Sequence, residues 1–188
     1  MSVSRETQRG RYISLLRRWG AALNLTATNS ASEVALNTLI DDCLCIVPHL
    51  PPGLDRLIDL GTGQGFPAIP IAIETGVVLD LVEADRRKAA FLTTTLATLG
   101  LRGHVHTSRI EATALPPAEC VTARALAPLS ALIPLAQPFI SATGCGLFLK
   151  GASVEAELAQ VAARSGLLIE RLPTDRPPSC LVKVSALR

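Results

Sequence analysis

The sequence is poor in aromatic and sulfur-containing side chains. Its 188 residues include one Trp, one Tyr, one Met and five Cys, and aromatic residues make up 3% of the chain. The cysteines are odd in number and scattered, without a CxxC pair, so neither a disulfide framework nor a zinc site is expected. The pattern favours buried thiols in a reducing cytoplasm, and we expect no bound metal.

A strong net charge and an apolar leader are also absent. Eighteen Lys and Arg against sixteen Asp and Glu give a formal charge of +2, which permits a nucleic-acid partner without demanding one. Fifteen of the eighteen cations are Arg, which suits phosphate and base edges, although a GC-rich genome would give the same bias. Met1 to Trp19 is charged rather than apolar, so we expect a cytoplasmic protein.

A long uncharged stretch runs from Ala125 to Leu149, and its 25 residues could span a membrane. Prolines and glycines interrupt it at Pro128, Pro134, Pro138, Gly144 and Gly146. A lipid-exposed helix tolerates such interruptions poorly, because the freed backbone groups find no water. We therefore expect no membrane partner, and instead a buried helix, a turn at Ala142-Thr143-Gly144 and a buried strand.

Apolar residues make up 48% of the chain, enough for the core of one domain. From Leu54 onward, apolar strands alternate with helices, which predicts an α/β, Rossmann-like, mostly parallel sheet with helices on both faces. The predicted strands are Arg56 to Leu60, Val77 to Val82, His104 to Thr107, Cys120 to Ala123, Gly146 to Lys150, Leu167 to Arg171 and Cys180 to Val184. The predicted helices are Pro67 to Glu74, Arg86 to Leu99, Leu129 to Gln137 and Ser153 to Ser165.

Residues 1–53 precede this alternation and predict a small helical cap on the α/β part, residues 54–188, within one structural unit. Tyr12, Leu16, Trp19 and Leu23 recur at the spacing of one helix face. The other sides carry arginines at positions 5, 9, 11, 17 and 18. These arginines form either an ordinary solvated face or a basic surface that contacts a polyanion, and the sequence leaves both interpretations open.

The most informative segment is the glycine loop, Gly61-Thr62-Gly63-Gln64-Gly65, which follows an apolar strand ending in Asp59-Leu60. In a parallel sheet, a nucleotide-like ligand lies over the carboxyl end of such a strand. Phe66 stands where the dinucleotide pattern requires Gly, and two prolines (Pro67 and Pro70) remove amide donors that a pyrophosphate would need. The loop therefore favours an adenosine without phosphate, which points to S-adenosylmethionine.

An acid after the second strand supports this ligand. Glu83 comes 22 residues after Gly61, the usual place for binding ribose hydroxyls, with Asp85 as the second choice. Either acid could instead cap the helix that begins near Arg86. Asp59 has two open roles as well, because it could orient the amino group of the cofactor or cap a turn.

With these segments in view, the sequence resembles the bacterial methyltransferase family called glucose-inhibited division protein B. The matching segments are W-G-A-A-L-N-L-T (19–26), G-T-G-Q-G-F-P-A-I-P-I (61–71), R-K-A-A-F-L (87–92), S-R-I-E (108–111), A-R-A (123–125) and L-K-G (149–151). The resemblance implies a class I methyltransferase fold and methylation of N7 of one guanine in 16S ribosomal RNA, with S-adenosylmethionine as cofactor.

The resemblance also assigns site residues. Gly61 and Phe66 match positions that line the cofactor, Gly63 of the same glycine loop is expected to bind it as well, and Glu83 matches the acid after the second strand. Ile110 and Glu111 match the pair that flanks the adenine, and Arg124 matches an arginine that borders the site. Without the family, Ile110 could equally be a core residue. No catalytic base is assigned, because guanine N7 carries an unprotonated lone pair at neutral pH.

The chain departs from the family pattern mainly on the side where RNA is expected. Asn37-Thr38 stand where the family usually has Arg-His, and Gly20, Gln64, Ala68 and Ala123 also differ from it. The expected partner is 16S rRNA or a partly assembled small ribosomal subunit, bound by a monomer. Candidate phosphate contacts are Arg11, Arg17, Arg18, Arg86, Arg87, Lys88, Arg124 and Lys150.

Three other functions stay open at this stage. A nicotinamide-dependent oxidoreductase would share the sheet, but Phe66 and the prolines disfavour it. A degenerate methyltransferase fold could bind RNA without reacting, and the missing Arg-His pair favours that hypothesis. A small-molecule methyltransferase is disfavoured by the N-terminal arginines.

Overall fold

The computed structural model describes residues 4–23, 32–161, 166–174 and 179–186. The α-helices in this part of the chain are α1 (Arg5–Leu23), α2 (Glu33–Leu44), α3 (Ala68–Thr75), α4 (Arg86–Leu99), α5 (Leu129–Ala136) and α6 (Val154–Val161). The strands are β1 (Arg56–Leu60), β2 (Val78–Val82), β3 (Gly103–His106), β4 (Ala118–Arg124), β5 (Ile140–Lys150), β6 (Leu167–Leu172) and β7 (Cys180–Ala186).

The strands form one sheet in the order β3-β2-β1-β4-β5-β7-β6. Strands β1 to β5 are parallel, and β7 runs antiparallel between β5 and β6. The α-helices connect β1 to β2, β2 to β3 and β4 to β5, and together the helices cover both faces. This arrangement confirms the predicted α/β, Rossmann-like fold with its mostly parallel sheet.

The apolar strands are explained by burial on both faces of the sheet. Leu57 joins a core cluster beneath α1 to α4, whereas the next residue, Ile58, joins the cluster beneath α5 and α6. Both side chains are fully buried. Since successive residues of a strand point to opposite faces, each central strand carries apolar residues at most of its positions.

The N-terminal helices share the first of these cores. Tyr12 and Leu16 are fully buried, and the Trp19 ring lies 5.7 Å from the ring of Phe91 in α4. The predicted apolar face of α1 is thus confirmed through Trp19, whereas the side chain of Leu23 lies outside the described residues, as do residues 24–26, the end of the matching segment 19–26. The division into a cap and an α/β part at residue 53 stays a prediction.

The predicted turn at residues 142–144 is wrong, because β5 runs through it without interruption. The pairing with β4 changes register there: Ala118 pairs with Ile140, but Cys120 pairs with Cys145. A Cβ on Gly144 would come within 2.9 Å of the carbonyl oxygens of Ala118 and Glu119. The glycine therefore permits a close approach of two strands rather than a turn.

The other boundaries differ by small amounts. Helix α6 begins one residue later than predicted and is described to Val161, and the remaining predicted positions, 162–165, lie outside the described residues.

Within the described ranges, no helix is both long and apolar enough to cross a membrane. Those same ranges contain no cluster of three or more His, Cys, Asp or Glu side chains suited to a metal ion.

Candidate functional site

The candidate site is a cleft at the carboxyl ends of the parallel strands. The loops that follow β1, β2, β3 and β4 meet there, together with the start of α4, around a cavity of about 350 Å³. Five of the predicted cofactor residues line it from three different loops: Gly61, Gly63, Glu83, Ile110 and Glu111. This edge is where ligands bind in open α/β sheets.

The glycine loop has a backbone that only glycine adopts readily. Gly61, Gly63 and Gly65 have φ angles of 62°, 57° and 94°. A Cβ on Gly61 would lie 2.5 Å from Cδ1 of Leu126, and one on Gly65 would collide with Ile69. The left-handed backbone therefore favours glycine at all three positions, and close packing adds to this at Gly61 and Gly65.

Glu83 is buried beside this loop, with 7% of its surface exposed, and lines the cleft. Its Oε2 accepts a hydrogen bond from the Gly63 amide at 2.9 Å, and its Oε1 accepts one from the Asp85 amide at 2.8 Å. Each carboxylate oxygen can accept further hydrogen bonds. Glu83 thus holds the glycine loop and keeps acceptor capacity at the cleft.

Asp85, the second candidate for binding the ribose hydroxyls, has a different role. Its side chain accepts from the amides of Arg87 and Lys88 and is the N-cap of α4. These hydrogen bonds lower the pKa of the Asp85 carboxyl, as expected for a capping carboxylate. The capping alternative is therefore confirmed for Asp85, and Glu83 is the acid that faces the cleft.

The start of α3 offers little to a phosphate group. Pro67 and Pro70 are both buried and lack amide hydrogens. The Ile69 amide donates to the carbonyl oxygen of Gly65 at 2.7 Å. A pyrophosphate needs free amides at an accessible helix start, so this geometry agrees with the preference for a ligand without phosphate.

Ile110 and Glu111 begin a short 3₁₀ turn after β3, opposite the glycine loop across the cleft. Ile110 is half-buried and packs partly against the core, so the core alternative holds for part of its surface. Glu111 is exposed. The Ser108 and Thr113 hydroxyls hydrogen-bond at 2.6 Å and close this turn.

Phe66 and Arg124 lie behind the loop and do not line the cleft. The Arg124 guanidinium carbon is 5.9 Å from the centroid of the Phe66 ring. The centroid of the Tyr12 ring is 5.6 Å from that same Phe66 centroid. The Tyr12 hydroxyl donates to the Gln64 carbonyl oxygen at 2.7 Å. This stack supports the glycine loop from the side of α1.

Asp59 lies beneath the loop and is fully buried, so it does not reach the cleft. The Thr122 hydroxyl donates to its Oδ1 at 2.6 Å. Burial raises the pKa of Asp59 to about 7, opposed by the Thr122 and Thr62 hydroxyls and assisted by the nearby Glu83 charge. The side chain thus braces β1 against β4, which neither of its two expected roles included.

The loop after β4, residues 125–128, was not predicted to be part of the site. Ala125, Leu126 and Ala127 line the cleft, and Leu126 packs directly on Gly61. The sequence holds one signal for this loop. It follows the strand adjacent to β1, and loops after neighbouring parallel strands meet at one edge.

Comparison with known proteins decides the family. The chain matches the family described as "GidB: rRNA small subunit methyltransferase G" over residues 5–171. The protein belongs to this family. The resemblance seen in the sequence motifs is thereby confirmed, and the protein is a methyltransferase.

Curated relatives agree over nearly the whole chain. Ribosomal RNA small subunit methyltransferase G of Rhodospirillum centenum is 39% identical, with 98% of this chain and 87% of that protein aligned. The protein of the same name from Gluconobacter oxydans is 38% identical, with 98% of this chain and 96% of that protein aligned.

Solved structures share the fold at low sequence identity. A ribosomal protein L11 methylase from Lactobacillus delbrueckii subsp. bulgaricus superposes with a TM-score of 0.66, at 16% identity over 80% of this chain and 79% of that chain. An O-methyltransferase from Bacillus cereus in complex with SAH gives 0.65, at 16% identity over 93% and 90%. These similarities identify the sheet as a class I methyltransferase fold.

Within this family context, most of the basic residues predicted to contact phosphate are exposed, namely Arg11, Arg17, Arg18, Arg86 and Arg87. Lys88 is half-buried and lines the cleft. Lys150 is not available to phosphate, because its Nζ lies 2.7 Å from Glu157 and only 9% of its side chain is exposed. Arg124 is half-buried on Phe66.

Side chains of α2 bind an arginine of α1 at the positions where the chain departs from the family pattern. Asn37 accepts a hydrogen bond from Arg9 at 2.7 Å, and Asp41 forms an ion pair with the same guanidinium at 2.6 Å. Arg9 therefore links α1 to α2 in this chain. Its guanidinium is engaged within the protein rather than displayed for RNA.

Proposed function

We propose that the protein transfers a methyl group from S-adenosylmethionine to N7 of one guanine in 16S ribosomal RNA. The observation that carries this proposal is the cleft between Gly61, Glu83 and Ile110 in a chain of the rRNA small subunit methyltransferase G family. The cleft supplies a place for the cofactor. The family supplies the class of substrate.

The residues present fit the cofactor. A ligand can approach Gly61 and Gly63 closely because neither has a Cβ, and the cavity of about 350 Å³ lies in the size range of small-molecule sites. The Glu83 carboxylate provides acceptors for hydroxyl groups, and Ile110 provides an apolar surface suited to a purine. The buried, proline-rich start of α3 disfavours a phosphorylated nucleotide.

We assign roles to these residues accordingly. Gly61 and Gly63 hold the cofactor against the sheet edge, and Glu83 accepts hydrogen bonds from its ribose. Ile110 contacts the adenine, and backbone groups at Ile110 and Glu111 bind its polar edge. Phe66 and Arg124 act indirectly by supporting the loop. When bound, S-adenosylmethionine supplies an electrophilic methyl group on a sulfonium centre.

The protein needs no general base for this reaction. Guanine N7 offers a lone pair that carries no proton at neutral pH, so the residues of this chain contribute alignment and the exclusion of water. This agrees with the site, because the one strongly perturbed carboxyl group near it, Asp59, is fully buried beneath the loop.

The RNA must present the guanine outside a regular duplex. In A-form RNA, N7 faces a deep and narrow groove that side chains enter poorly. An unpaired or extruded guanine would reach the cleft past Lys88 and Arg109, which line it. The exposed Arg11, Arg18 and Arg86 are proposed to bind phosphate, so RNA affinity should fall steeply with salt.

The substrate is proposed to be rRNA in a partly assembled small subunit, and the protein is proposed to act as a monomer in the cytoplasm, where ribosomes assemble. The test uses small subunits from cells that lack this gene, incubated with isotope-labelled S-adenosylmethionine. We expect label in one 16S guanine, mapped by cleavage at N7-methylguanosine, with Glu83→Gln as the inactive control. Binding of RNA without label transfer would favour the non-catalytic alternative and contradict the proposal.

A further inference from the structure

We propose that the half-buried ion pair between Lys150 and Glu157 is a positioning device that holds the loop of residues 125–128 over the cofactor cleft. This inference rests on the proposed function, because the loop matters only if the cleft binds a ligand. Neither residue lines the cleft. Both act through the backbone of the loop.

The loop needs an external support. Ala125 has a φ of 50°, in the left-handed region that a residue with a Cβ adopts only when its surroundings force it to. Leu126 is pressed against Gly61, where a Cβ would lie 2.5 Å from its Cδ1. Pro128 has no amide hydrogen with which to anchor the loop itself.

The ion pair supplies that support on both sides of Pro128. Lys150 Nζ donates to the Ala127 carbonyl oxygen at 2.8 Å. Glu157 Oε2 accepts from the Leu129 amide at 2.9 Å and lies 2.7 Å from Nζ. The Ser153 hydroxyl donates to the other carboxylate oxygen at 2.9 Å, so the carboxylate is fixed in its turn.

The low exposure of this ion pair indicates that it contributes to the position of the loop rather than to the stability of the fold. The side chains are 9% and 14% exposed, so both charges have lost most of their hydration. Pairs of this kind often contribute little net stability compared with an apolar pair of similar size. What an apolar pair could not provide is the donor for Ala127 and the acceptor for Leu129.

Three variants separate positioning from folding. Lys150→Met leaves the Glu157 charge buried and unpaired, so it should lower the melting temperature as well as cofactor affinity. The double variant Lys150→Met/Glu157→Leu removes that charge, so its melting temperature should return towards that of the wild type. Glu155→Gln is the matched control, because Glu155 lies on the same helix in an exposed pair with Arg171.

The first readout is the affinity for S-adenosylhomocysteine, measured by calorimetry. The double variant should bind about tenfold more weakly than the wild type, a change of about 1.4 kcal/mol, whereas Glu155→Gln should stay within about twofold. The second readout needs no ligand. In the cofactor-free protein, the NMR order parameter of the Leu126 amide should fall from about 0.85 to below about 0.6 in the double variant.

Unchanged affinity and an unchanged order parameter in the double variant would overturn the inference. A wild-type protein that fails to bind S-adenosylhomocysteine would instead overturn the proposed function. The order parameter would then still decide whether the ion pair holds the loop, so the two failures are distinguishable.

Discussion

Two buried carboxylates lie close together in the chain: Asp80 within β2 and Glu83 just after it. Each residue is 7% exposed, but the two differ in the chemistry of their partners. Asp80 is bound by Arg56 at 2.8 Å and by His106 at 2.7 Å. Glu83 is bound by two backbone amides and faces the cleft. Burial alone therefore does not separate the two acids; their partners do, because Asp80 is bound by cationic side chains and Glu83 by backbone amides.

The pKa of Asp80 shows what cationic partners do. Burial would raise it, but hydrogen bonds and charges from His106 and Arg56 outweigh burial and hold it below its usual value. The charge of Asp80 is thus neutralised within the protein and stabilises the sheet. The amides around Glu83 orient its carboxylate without neutralising its charge, which leaves it able to bind a ligand.

The largest expected effect contrasts these two acids. Glu83→Gln should weaken S-adenosylhomocysteine binding about 100-fold, because charge-assisted hydrogen bonds to the loop and the ligand are lost together. Asp80→Asn should lower the unfolding free energy by about 1 to 3 kcal/mol and leave the affinity within about twofold. Calorimetry and thermal melts measure both, and equal losses of affinity in the two variants would remove the distinction.

A third carboxyl, Asp59, sharpens the comparison through pH. Its folded pKa is raised to about 7, so the folded state keeps a proton that the unfolded chain releases near pH 4. The stability of the wild type should therefore decline as pH rises from about 4 to 7. Asp59→Asn carries no such proton, so its stability relative to the wild type should rise between pH 5 and pH 8 by about 3 kcal/mol.

The matched control for this pH effect is Asp85→Asn, which keeps a capping side chain at the start of α4. The folded pKa of Asp85 is lowered, so the stability it contributes is lost only at acid pH, as the carboxyl becomes protonated. Its difference from the wild type should stay flat from pH 5 to pH 8. Denaturant titrations at several pH values give both curves, and parallel curves for the two variants would contradict the assignment.

A smaller effect is expected from the backbone of the glycine loop. Gly61→Ala adds a Cβ at a φ of 62° and against Leu126, so cofactor affinity should fall about tenfold. Gly100→Ala imposes a similar φ, 64°, at the end of α4, where nothing lies within 4 Å. Gly100→Ala should cost about 1 kcal/mol of stability and no affinity. Calorimetry measures the affinities and melting curves measure the stability. Equal losses of affinity in the two variants would contradict this prediction.

The smallest expected effect concerns support from α1. Tyr12→Phe removes only the hydroxyl that donates to the Gln64 carbonyl, so affinity should fall about threefold through loosening of the loop. Ser14→Ala removes an exposed hydroxyl bonded within the same helix and should change nothing measurable. An unchanged affinity in Tyr12→Phe would show that the loop does not depend on α1.

Much of the fold could be predicted because local signals and tertiary environment agree. Strand β1 and helix α4 begin and end at the predicted residues, since an uninterrupted apolar run and a capping Asp85 mark them directly. The first half of β5 could not be predicted in this way. Gly144 looks like a turn residue, and its actual role depends on carbonyls of a strand more than twenty residues away.

The site was predictable where one segment carries it and obscure where several segments meet. The glycine loop and Glu83 follow from spacing, and the family resemblance added Ile110 and Glu111. The sequence did not show that Lys150 would form an ion pair with Glu157. That contact depends on α6 folding back on the end of β5. Nor did it show that Phe66 and Arg124 would stack on each other behind the loop.

The most direct test of the central claim is a calorimetric comparison of S-adenosylhomocysteine, NAD and ATP on the wild-type protein. A cleft with the Glu83 carboxylate and a proline-rich helix start should bind the first and reject the two phosphorylated ligands. Binding of NAD or ATP that matches or exceeds that of S-adenosylhomocysteine, and that Glu83→Gln does not weaken, would contradict the account.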